Sequence, residues 1–301
     1  MTTSPPANCA SIIETMSHKP SRAAGPRSGH LAADAELPPA QTRSIRRLEA
    51  ITGPLNELAR RSPGLITAKP GRFEVAAERH ELPRYLFIGP QGGAEPLRIG
   101  IFAALHGDEP EGAYALVRFT RSLAAKPELA TGYCLFLYPV CNPTGFDDRT
   151  RHSRSGKDLN REFWINSSEP EVRLLQAELV SHSFHGIISL HSDDTSHGFY
   201  GYARGATLTK HLIEPALRAV EPILPRDQRD VIDGFQARNG VVHDCFDGVL
   251  SAPPKERPRP FEIILETPKA PPAYVKEGAF GLALQTILAE YRKFIAYAAN
   301  L

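Results

Sequence analysis

Short, mainly apolar runs alternate along this chain with stretches of helical spacing, and this alternation is the sequence feature that most restricts the possible folds. Five runs have strand length, at 85–88, 99–105, 133–140, 187–190 and 261–265. Helical stretches lie between or after them, at 110–125, 168–181, 206–220 and 277–298. Strands that are apolar throughout are typical of parallel sheets covered by helices on both faces. We therefore predict an α/β fold with a mostly parallel central mixed β-sheet and helices on both faces.

Two local patterns refine the helices. Apolar residues recur at helical spacing between Ile45 and Leu58, and Gly53-Pro54 predicts a break or kink in that helix. Ser168, followed three residues later by Glu171, forms a capping-box pattern that predicts the start of the helical stretch 168–181.

The domain organisation follows from where apolar residues are sparse. Residues 1–41 are rich in Ala, Ser, Pro and Thr, too polar to offset the entropy of ordering. We expect a disordered tail there, or a short arm loosely docked on the main body. Residues 42–301 are expected to form a single catalytic domain, which a chain of 301 residues easily accommodates.

Charge and composition exclude several classes of partner. Lys and Arg number 35 against 34 Asp and Glu, so nothing attracts nucleic acid or an anionic membrane surface. No apolar run approaches the roughly 18 residues of a membrane span, and no signal peptide is visible. The four cysteines form no C-x-x-C pair. We expect a cytoplasmic protein with neither a nucleic-acid nor a membrane partner.

Two strand ends carry histidine. The run 99–105 leads directly into His106-Gly107-Asp108-Glu109, and the run 187–190 leads into His191. Imidazole and carboxylate are the usual ligands of a catalytic zinc ion, typically three from the protein. Carboxyl ends of parallel strands meet at one edge of a sheet, so these side chains could converge there. The alternative is that both histidines only end buried strands.

The segment that follows the run 133–140 is basic. It contains Arg149, Arg151, Arg154, Lys157 and Arg161. Such a segment is either a solvated loop or a pocket for an anionic group, in which Arg pairs with a carboxylate through two hydrogen bonds.

A glutamate stands at the carboxyl end of the last apolar run. Glu266 follows 261–265, and a carboxylate at the mouth of a buried strand can accept a proton from a water molecule activated by a metal. Glu262, four residues earlier, points to the same side of the strand, but at its other end. We expect Glu266 to act in catalysis and Glu262 to be an edge or salt-bridge residue.

Five motifs in one order give a resemblance to a known family. HGDE, NPTGF, DLNRE, SLH and ILETP, spread from Ile99 to Pro268, resemble the zinc metallocarboxypeptidase family, peptidase M14. The similarity is greatest to its short bacterial branch, such as murein-peptide amidase, and to the succinylglutamate desuccinylase/aspartoacylase branch. The resemblance implies a carboxypeptidase-like (phosphorylase/hydrolase-like) fold and one Zn²⁺ ion.

The resemblance also implies a role for each motif residue. It implies that His106, Glu109 and His191 hold the zinc and that Glu266 is the general base acting on zinc-bound water. The substrate's free carboxylate would be bound by Arg161 with help from Asn160.

Two further roles are implied in the basic segment. Asp158 would orient the first zinc histidine. An arginine between NPTGF and DLNRE would stabilise the oxyanion; spacing favours Arg151, while Arg149 and Arg154 remain candidates.

Two departures from the family bear on specificity. Digestive carboxypeptidases carry a mobile tyrosine between the second zinc histidine and the catalytic glutamate, whereas Tyr200 and Tyr202 here lie too near His191 for an obvious match. The aspartoacylase branch has a substantial domain after the catalytic glutamate, and the short stretch after Glu266 favours a peptidase-like or amidase-like protein.

The predicted function is a zinc-dependent, carboxypeptidase-like hydrolase. It would cleave an amide or peptide bond near a free carboxylate, in a small peptide or an acylated amino acid. The first alternative is an N-acyl-amino-acid deacylase, and the second is a non-catalytic carboxylate-binding or peptide-binding module. Asp193, Asp194 and Tyr200 are expected to help line the pocket.

Overall fold

The structure is a computed structural model that describes residues 40–92 and 95–298. The prediction for residues 1–41 lies outside the described residues, except that Ala40 and Gln41 open the first helix.

The described chain contains six α-helices and twelve β-strands. The helices are α1 (Ala40–Arg61), α2 (Glu111–Ala125), α3 (Pro143–Asp148), α4 (Pro170–His182), α5 (Thr209–Val220) and α6 (Ala273–Ala298). The strands of the first half are β1 (Leu65–Ala68), β2 (Arg72–Val75), β3 (Glu78–Glu81), β4 (Arg84–Ile88), β5 (Leu97–Ala103) and β6 (Tyr133–Tyr138). Those of the second half are β7 (Gly186–Asp193), β8 (Tyr200–Gly205), β9 (Val231–Ile232), β10 (Phe235–Arg238), β11 (Val241–Val242) and β12 (Phe261–Pro268). Short 3₁₀ turns occupy Pro127–Ala130 and Leu159–Arg161.

Ten of these strands form one mixed sheet in the order β1-β4-β6-β5-β7-β12-β8-β11-β10-β9. The four central strands, β6, β5, β7 and β12, run parallel to one another. The flanks are mainly antiparallel, since β4 pairs antiparallel with β6 and β8 pairs antiparallel with β12. All five predicted strands are present, and the predicted α/β fold is confirmed.

Helices cover both faces of the sheet, as the continuous apolar strands predict. On β6, Leu135 and Leu137 face a core that includes residues of α1, α2, α5 and α6. Phe136 and Tyr138, at the alternate positions, face a second core that includes Val172 of α4. A strand buried on both faces has no polar side to expose, which is why these segments read as unbroken apolar runs.

The predicted break at Gly53-Pro54 is wrong, because α1 continues through Pro54 to Arg61. Proline removes one backbone hydrogen bond from a helix. On either side of it, Ile51 and Leu55 are 0% and 1% exposed. Their burial in the core offsets the lost hydrogen bond and keeps the helix continuous.

The predicted capping box is also wrong. Helix α4 begins at Pro170, and the residue at its N-cap, Glu169, makes no side-chain capping bond. The Glu169 carboxylate accepts hydrogen bonds from Ser153 and Ser155, and Glu171 accepts one from Thr144. These two carboxylates therefore fasten the segment that follows β6 instead of capping their own helix.

None of the described helices is long and apolar enough to cross a bilayer.

Candidate active site and metal centre

The carboxyl ends of the central strands bring the predicted residues to one edge of the sheet. His106 follows β5, while His191 and Glu266 stand side by side in the register of β7 and β12. A cavity of about 330 Å³ opens at this edge, and His106, Glu109 and Glu266 are part of its wall. The parallel order of the centre thus gathers side chains that are far apart in sequence.

His106, Glu109 and His191 form a compact buried cluster. Nδ1 of His106 lies 2.8 Å from Oε1 of Glu109, and Nδ1 of His191 lies 3.1 Å from Oε2 of the same carboxylate. The two Nδ1 atoms are 3.3 Å apart. All three residues are 3–4% exposed.

The cluster fits a zinc ion by two tests. Tetrahedral zinc with ligands at about 2.0–2.1 Å places those ligands roughly 3.3 Å from one another, close to the distances found here. One candidate ligand atom from each residue lies within 4.8 Å of the others. The second test is electrostatic. Burial alone would lower the pKa of His106, but the nearby carboxylates of Glu109 and Asp158 have the larger combined effect and raise that pKa to about 9. The surrounding carboxylates thus create a negative potential that favours a cation.

Two glycines explain why the turn after β5 can approach the start of α3. A Cβ atom on Gly107 would lie 1.9 Å from the carbonyl carbon of Gly145, so only glycine allows this contact. The side chain of Asn142 accepts a hydrogen bond from Gly145 N at 2.8 Å and donates one to Leu105 O at 3.2 Å. HGDE and NPTGF therefore interlock through their backbones, and this contact holds His106 and Glu109 in place.

Asp158 lies behind His106, as expected of a residue that orients it. Its Oδ1 is 3.1 Å from Nε2 of His106, on the opposite side of the ring from Glu109, and it also accepts a hydrogen bond from Asn160 N. Burial raises the pKa of Asp158, but His106 and Arg151 outweigh it, and the net shift is downward. His191 lacks such support, since its buried Nε2 has no hydrogen-bond partner among the described residues.

The three candidate arginines of the basic segment lie in different places. Arg151 lines the cavity, with Nε 3.2 Å from Oδ2 of Asp158 and Nη1 3.5 Å from Oε1 of Glu109. Arg154 pairs instead with Asp148 and Glu78. Arg149 is exposed at the end of α3, with a left-handed backbone (φ 59°).

The Glu266 carboxylate faces the cavity and has no side-chain hydrogen bond to any described residue. Burial raises its pKa well above the ordinary value, and Glu109, Asp193 and Asp233 raise it further. A carboxyl group with a raised pKa holds a proton more firmly than an exposed carboxyl group does. Glu262, at the other end of the strand, is 4% exposed and pairs with Arg259 at 3.1 Å, as predicted for a salt-bridge residue.

Arg161 and Asn160 lie on the 3₁₀ turn after Asp158, and both reach the cavity wall. The Asn160 side chain accepts a hydrogen bond from Leu250 N at 2.9 Å. The guanidinium of Arg161 lies over the ring of Phe246, with Cζ 4.1 Å from the ring centroid.

The cavity wall also contains residues expected from the sequence and residues that were missed. Asp193, Asp194 and Tyr200 line it as predicted. Tyr202, Asp233 and Phe246 line it as well. Tyr202 lies on β8, where it is 4% exposed, while Asp233 and Phe246 lie in loops. None of these segments carries a periodic pattern or a motif that marks a site.

Comparison with known proteins places this geometry in context. Residues 97–224 match the model of the succinylglutamate desuccinylase/aspartoacylase catalytic domain. No curated protein matches the chain.

Among solved structures, the chain is similar to a candidate metallopeptidase from Shewanella denitrificans. The identity is 24%, the match covers 80% of this chain and 89% of the other, and the TM-score is 0.67. It is also similar to a metallo-carboxypeptidase from Burkholderia cenocepacia, at 17% identity over 83% of this chain and 69% of the other, with a TM-score of 0.62. Carboxypeptidase A from Helicoverpa armigera shares 14% identity over 80% of this chain and 73% of the other, with a TM-score of 0.57. At these identities the likeness shows a common fold.

Proposed function

We propose that this chain, an M14-like metallohydrolase, cleaves an amide bond close to a free carboxylate in a small peptide. The observation that carries the proposal is the placement of Glu266 beside the cluster of His106, Glu109 and His191. His106, Glu109 and Glu266 line one cavity, and His191 is the strand neighbour of Glu266. Ligands without a base beside them would suit a structural metal, but here the Glu266 carboxylate lines the same cavity and has no hydrogen-bond partner among residues 40–92 and 95–298.

The metal would be held by His106, Glu109 and His191. A zinc ion bound there supplies Lewis acidity, which polarises a carbonyl and acidifies a water molecule. Asp158 keeps the His106 ring in orientation through Nε2, which leaves Nδ1 directed towards Glu109 and His191.

Glu266 would move the proton. Its carboxylate accepts a proton from the attacking water and passes it to the leaving nitrogen, so the amine departs as a neutral group. Its raised pKa suits this exchange, because a carboxyl group that holds a proton more firmly can keep it until the nitrogen accepts it.

Two arginines would bind two different groups of the substrate. Arg151 would donate N–H groups to the carbonyl oxygen as negative charge develops there. Arg161, with Asn160, would bind the free carboxylate, since a guanidinium offers paired donors that match a carboxylate. A cavity of about 330 Å³ admits a small substrate rather than a folded protein.

N-acyl-amino-acid deacylation is the second candidate, and the match of residues 97–224 to the succinylglutamate desuccinylase/aspartoacylase domain favours it. The chemistry of bond cleavage would be the same, because both substrates contain an amide bond near a carboxylate. The two differ in what lies on the acyl side of that bond.

One experiment separates these functions. The metal content of the purified protein is measured, and the zinc-loaded protein is screened against dipeptides, γ-glutamyl peptides and N-succinyl or N-acetyl amino acids. Release of amino acids from peptides supports the peptidase. Turnover confined to acylated amino acids supports the deacylase. Stoichiometric zinc with no hydrolysis anywhere in the panel would show that the chain is a binding module.

A further inference from the structure

The contact between Arg161 and Phe246 joins two segments that are distant in sequence. Arg161 lies on the 3₁₀ turn at Leu159–Arg161, and Phe246 lies in the loop between β11 and β12. The centre of the guanidinium lies 4.1 Å from the ring centroid, well inside the range of a cation–π contact. Both residues line the cavity.

Arg161 has few other partners. It forms no ion pair within the described part of the chain, and its Nη1 donates a single hydrogen bond, to Asn160 O at 2.9 Å. A guanidinium has five N–H donors, so most of them remain available to a ligand. A long side chain with so little to hold it would lose entropy on binding, unless another group fixes it in advance.

Phe246 can supply that restraint because a cation–π contact uses the flat face of the guanidinium and leaves its N–H edge free. The ring is itself supported by Phe235 of β10, whose centroid is 4.9 Å away at an interplanar angle of 75°. Phe235 in turn meets Tyr202 of β8 edge to face, at 6.4 Å. The stack therefore rests on two strands of the sheet.

The backbone ties the same two segments together. Leu250 N donates to the side chain of Asn160, and Phe163 N donates to Gly248 O at 2.9 Å. Gly248 has a positive φ of 72°, and a Cβ there would lie 2.2 Å from the carbonyl oxygen of Arg161. The loop that carries Phe246 is thus fastened, just after Phe246, to residues on both sides of Arg161.

We infer that Phe246 is a positioning residue that holds the Arg161 guanidinium ready for the substrate carboxylate. The inference rests on the proposed role of Arg161 in carboxylate binding. Phe246 is neither a proposed metal ligand nor the proposed proton carrier, so its loss should weaken binding of the carboxylate and leave the chemical step intact.

The test compares Phe246→Leu, Phe246→Tyr and Arg161→Met, with Phe73→Leu as a matched control. Phe73 is a half-buried aromatic on β2, and it does not line the cavity. Affinities for an N-acetyl dipeptide and for its C-terminal carboxamide are measured by calorimetry on zinc-loaded protein that also carries Glu266→Gln, so that no turnover interferes. Metal content and melting temperature are recorded for every variant.

Phe246→Leu is expected to weaken binding of the carboxylate about 3- to 30-fold, the range of one cation–π contact, with little effect on the carboxamide. Phe246→Tyr should keep the preference, because its ring retains the same face, and Phe73→Leu should leave it unchanged. In protein that retains Glu266 and therefore turns over substrate, Phe246→Leu should raise KM. Its kcat should stay within about twofold of the kcat of the unchanged protein.

Each contrary outcome is distinguishable. If Arg161→Met abolishes the preference for carboxylate over carboxamide and Phe246→Leu does not change it, the inference about Phe246 is wrong. The proposed role of Arg161 is then still supported. If the protein with Phe246 and Arg161 unchanged binds the carboxylate no more tightly than the carboxamide, the proposed role of Arg161 is itself wrong. Equal losses for carboxylate and carboxamide, or a fall in metal content, would reduce Phe246 to a structural residue and overturn the inference.

Discussion

Nε2 of His106 lies 3.1 Å from Oδ1 of Asp158, while the other ring nitrogen of His106 faces Glu109 at 2.8 Å. The imidazole is therefore held between two carboxylates, one on the metal side and one behind. A carboxylate behind a ligating histidine fixes the ring orientation and makes the ring a stronger donor to the metal. The same carboxylate contacts Arg151, so one residue supports both the metal centre and the arginine beside it.

Asp158→Asn is expected to weaken zinc binding about 10- to 100-fold, the usual cost of removing such a partner. The amide keeps the shape of the side chain but not its charge. Competition with a chromophoric chelator measures the affinity. Asp148→Asn is the control, since Asp148 is an exposed carboxylate of the same region that pairs with Arg154 and does not line the cavity. Equal zinc affinity in the two variants would refute the role given to Asp158.

Glu266→Gln is expected to lower kcat by about 10²- to 10⁴-fold, the contribution of a positioned general base. The zinc content should remain near one ion per chain, because Glu266 is not among the three proposed ligands. Glu262→Gln provides a control on the same strand and the same face, remote from the cavity, and should stay within about twofold of the unchanged protein. Near-normal turnover by Glu266→Gln would remove Glu266 from the proposed mechanism.

The fold and the metal cluster could be predicted because both depend on strong local patterns. Strands buried on both faces are mainly apolar, so five short apolar runs identified β4 and the four central strands β5, β6, β7 and β12. His106 and His191 follow two of these strands directly, and parallel strands end at the same edge. Nothing comparable marks β9 or β11, which have two residues each and depend on their neighbours for stability.

Side-chain contacts at long range could not be predicted in the same way. The capping pattern at Ser168 is sound as local chemistry, but the carboxylates of Glu169 and Glu171 accept hydrogen bonds from the segment at 144–155 instead. Pro54 is similar, because core packing on both sides overrides a local helix breaker. The choice among Arg149, Arg151 and Arg154 was open for the same reason: all three lie in one irregular segment, where spacing does not fix direction.

Arg151→Met is expected to lower kcat about 10²- to 10³-fold, the cost of losing one donor to a developing oxyanion. KM for the carboxylate-bearing substrate should change little, since Arg161 is proposed to bind that end. Arg149→Met removes the same charge two residues earlier, outside the cavity, and should leave turnover unchanged. Zinc content is checked in both variants, because Arg151 also contacts Glu109 and Asp158. A larger fall for Arg149→Met than for Arg151→Met would contradict the assignment.

His185 should give the folded protein a component of stability that depends on pH. Its Nδ1 accepts a hydrogen bond from Arg98 N at 3.0 Å, which requires that nitrogen to be unprotonated. Burial, followed by the charge of Arg98, lowers its pKa below the ordinary value of 6.5. Between the lowered pKa and 6.5 the unfolded chain binds more protons, so the free energy of unfolding rises with pH there. The stabilisation from His185 is complete above pH 6.5 and is lost as the pH falls from 6.5 through the lowered pKa.

The measurement is urea unfolding of the unchanged protein and of His185→Gln from pH 5 to 7.5, both in the same metal state, so that titration at the metal centre cancels in the difference. The variant should be the less stable protein at pH 7.5, by no more than the 0.5–1.5 kcal/mol that one hydrogen bond contributes (about 1 kcal/mol is typical). That gap should narrow as the pH falls from 6.5 to 5, because protonation removes the same hydrogen bond from the unchanged protein. Parallel curves over the whole range would mean that His185 does not titrate across this interval, and the Arg98 contact would then carry no pH dependence.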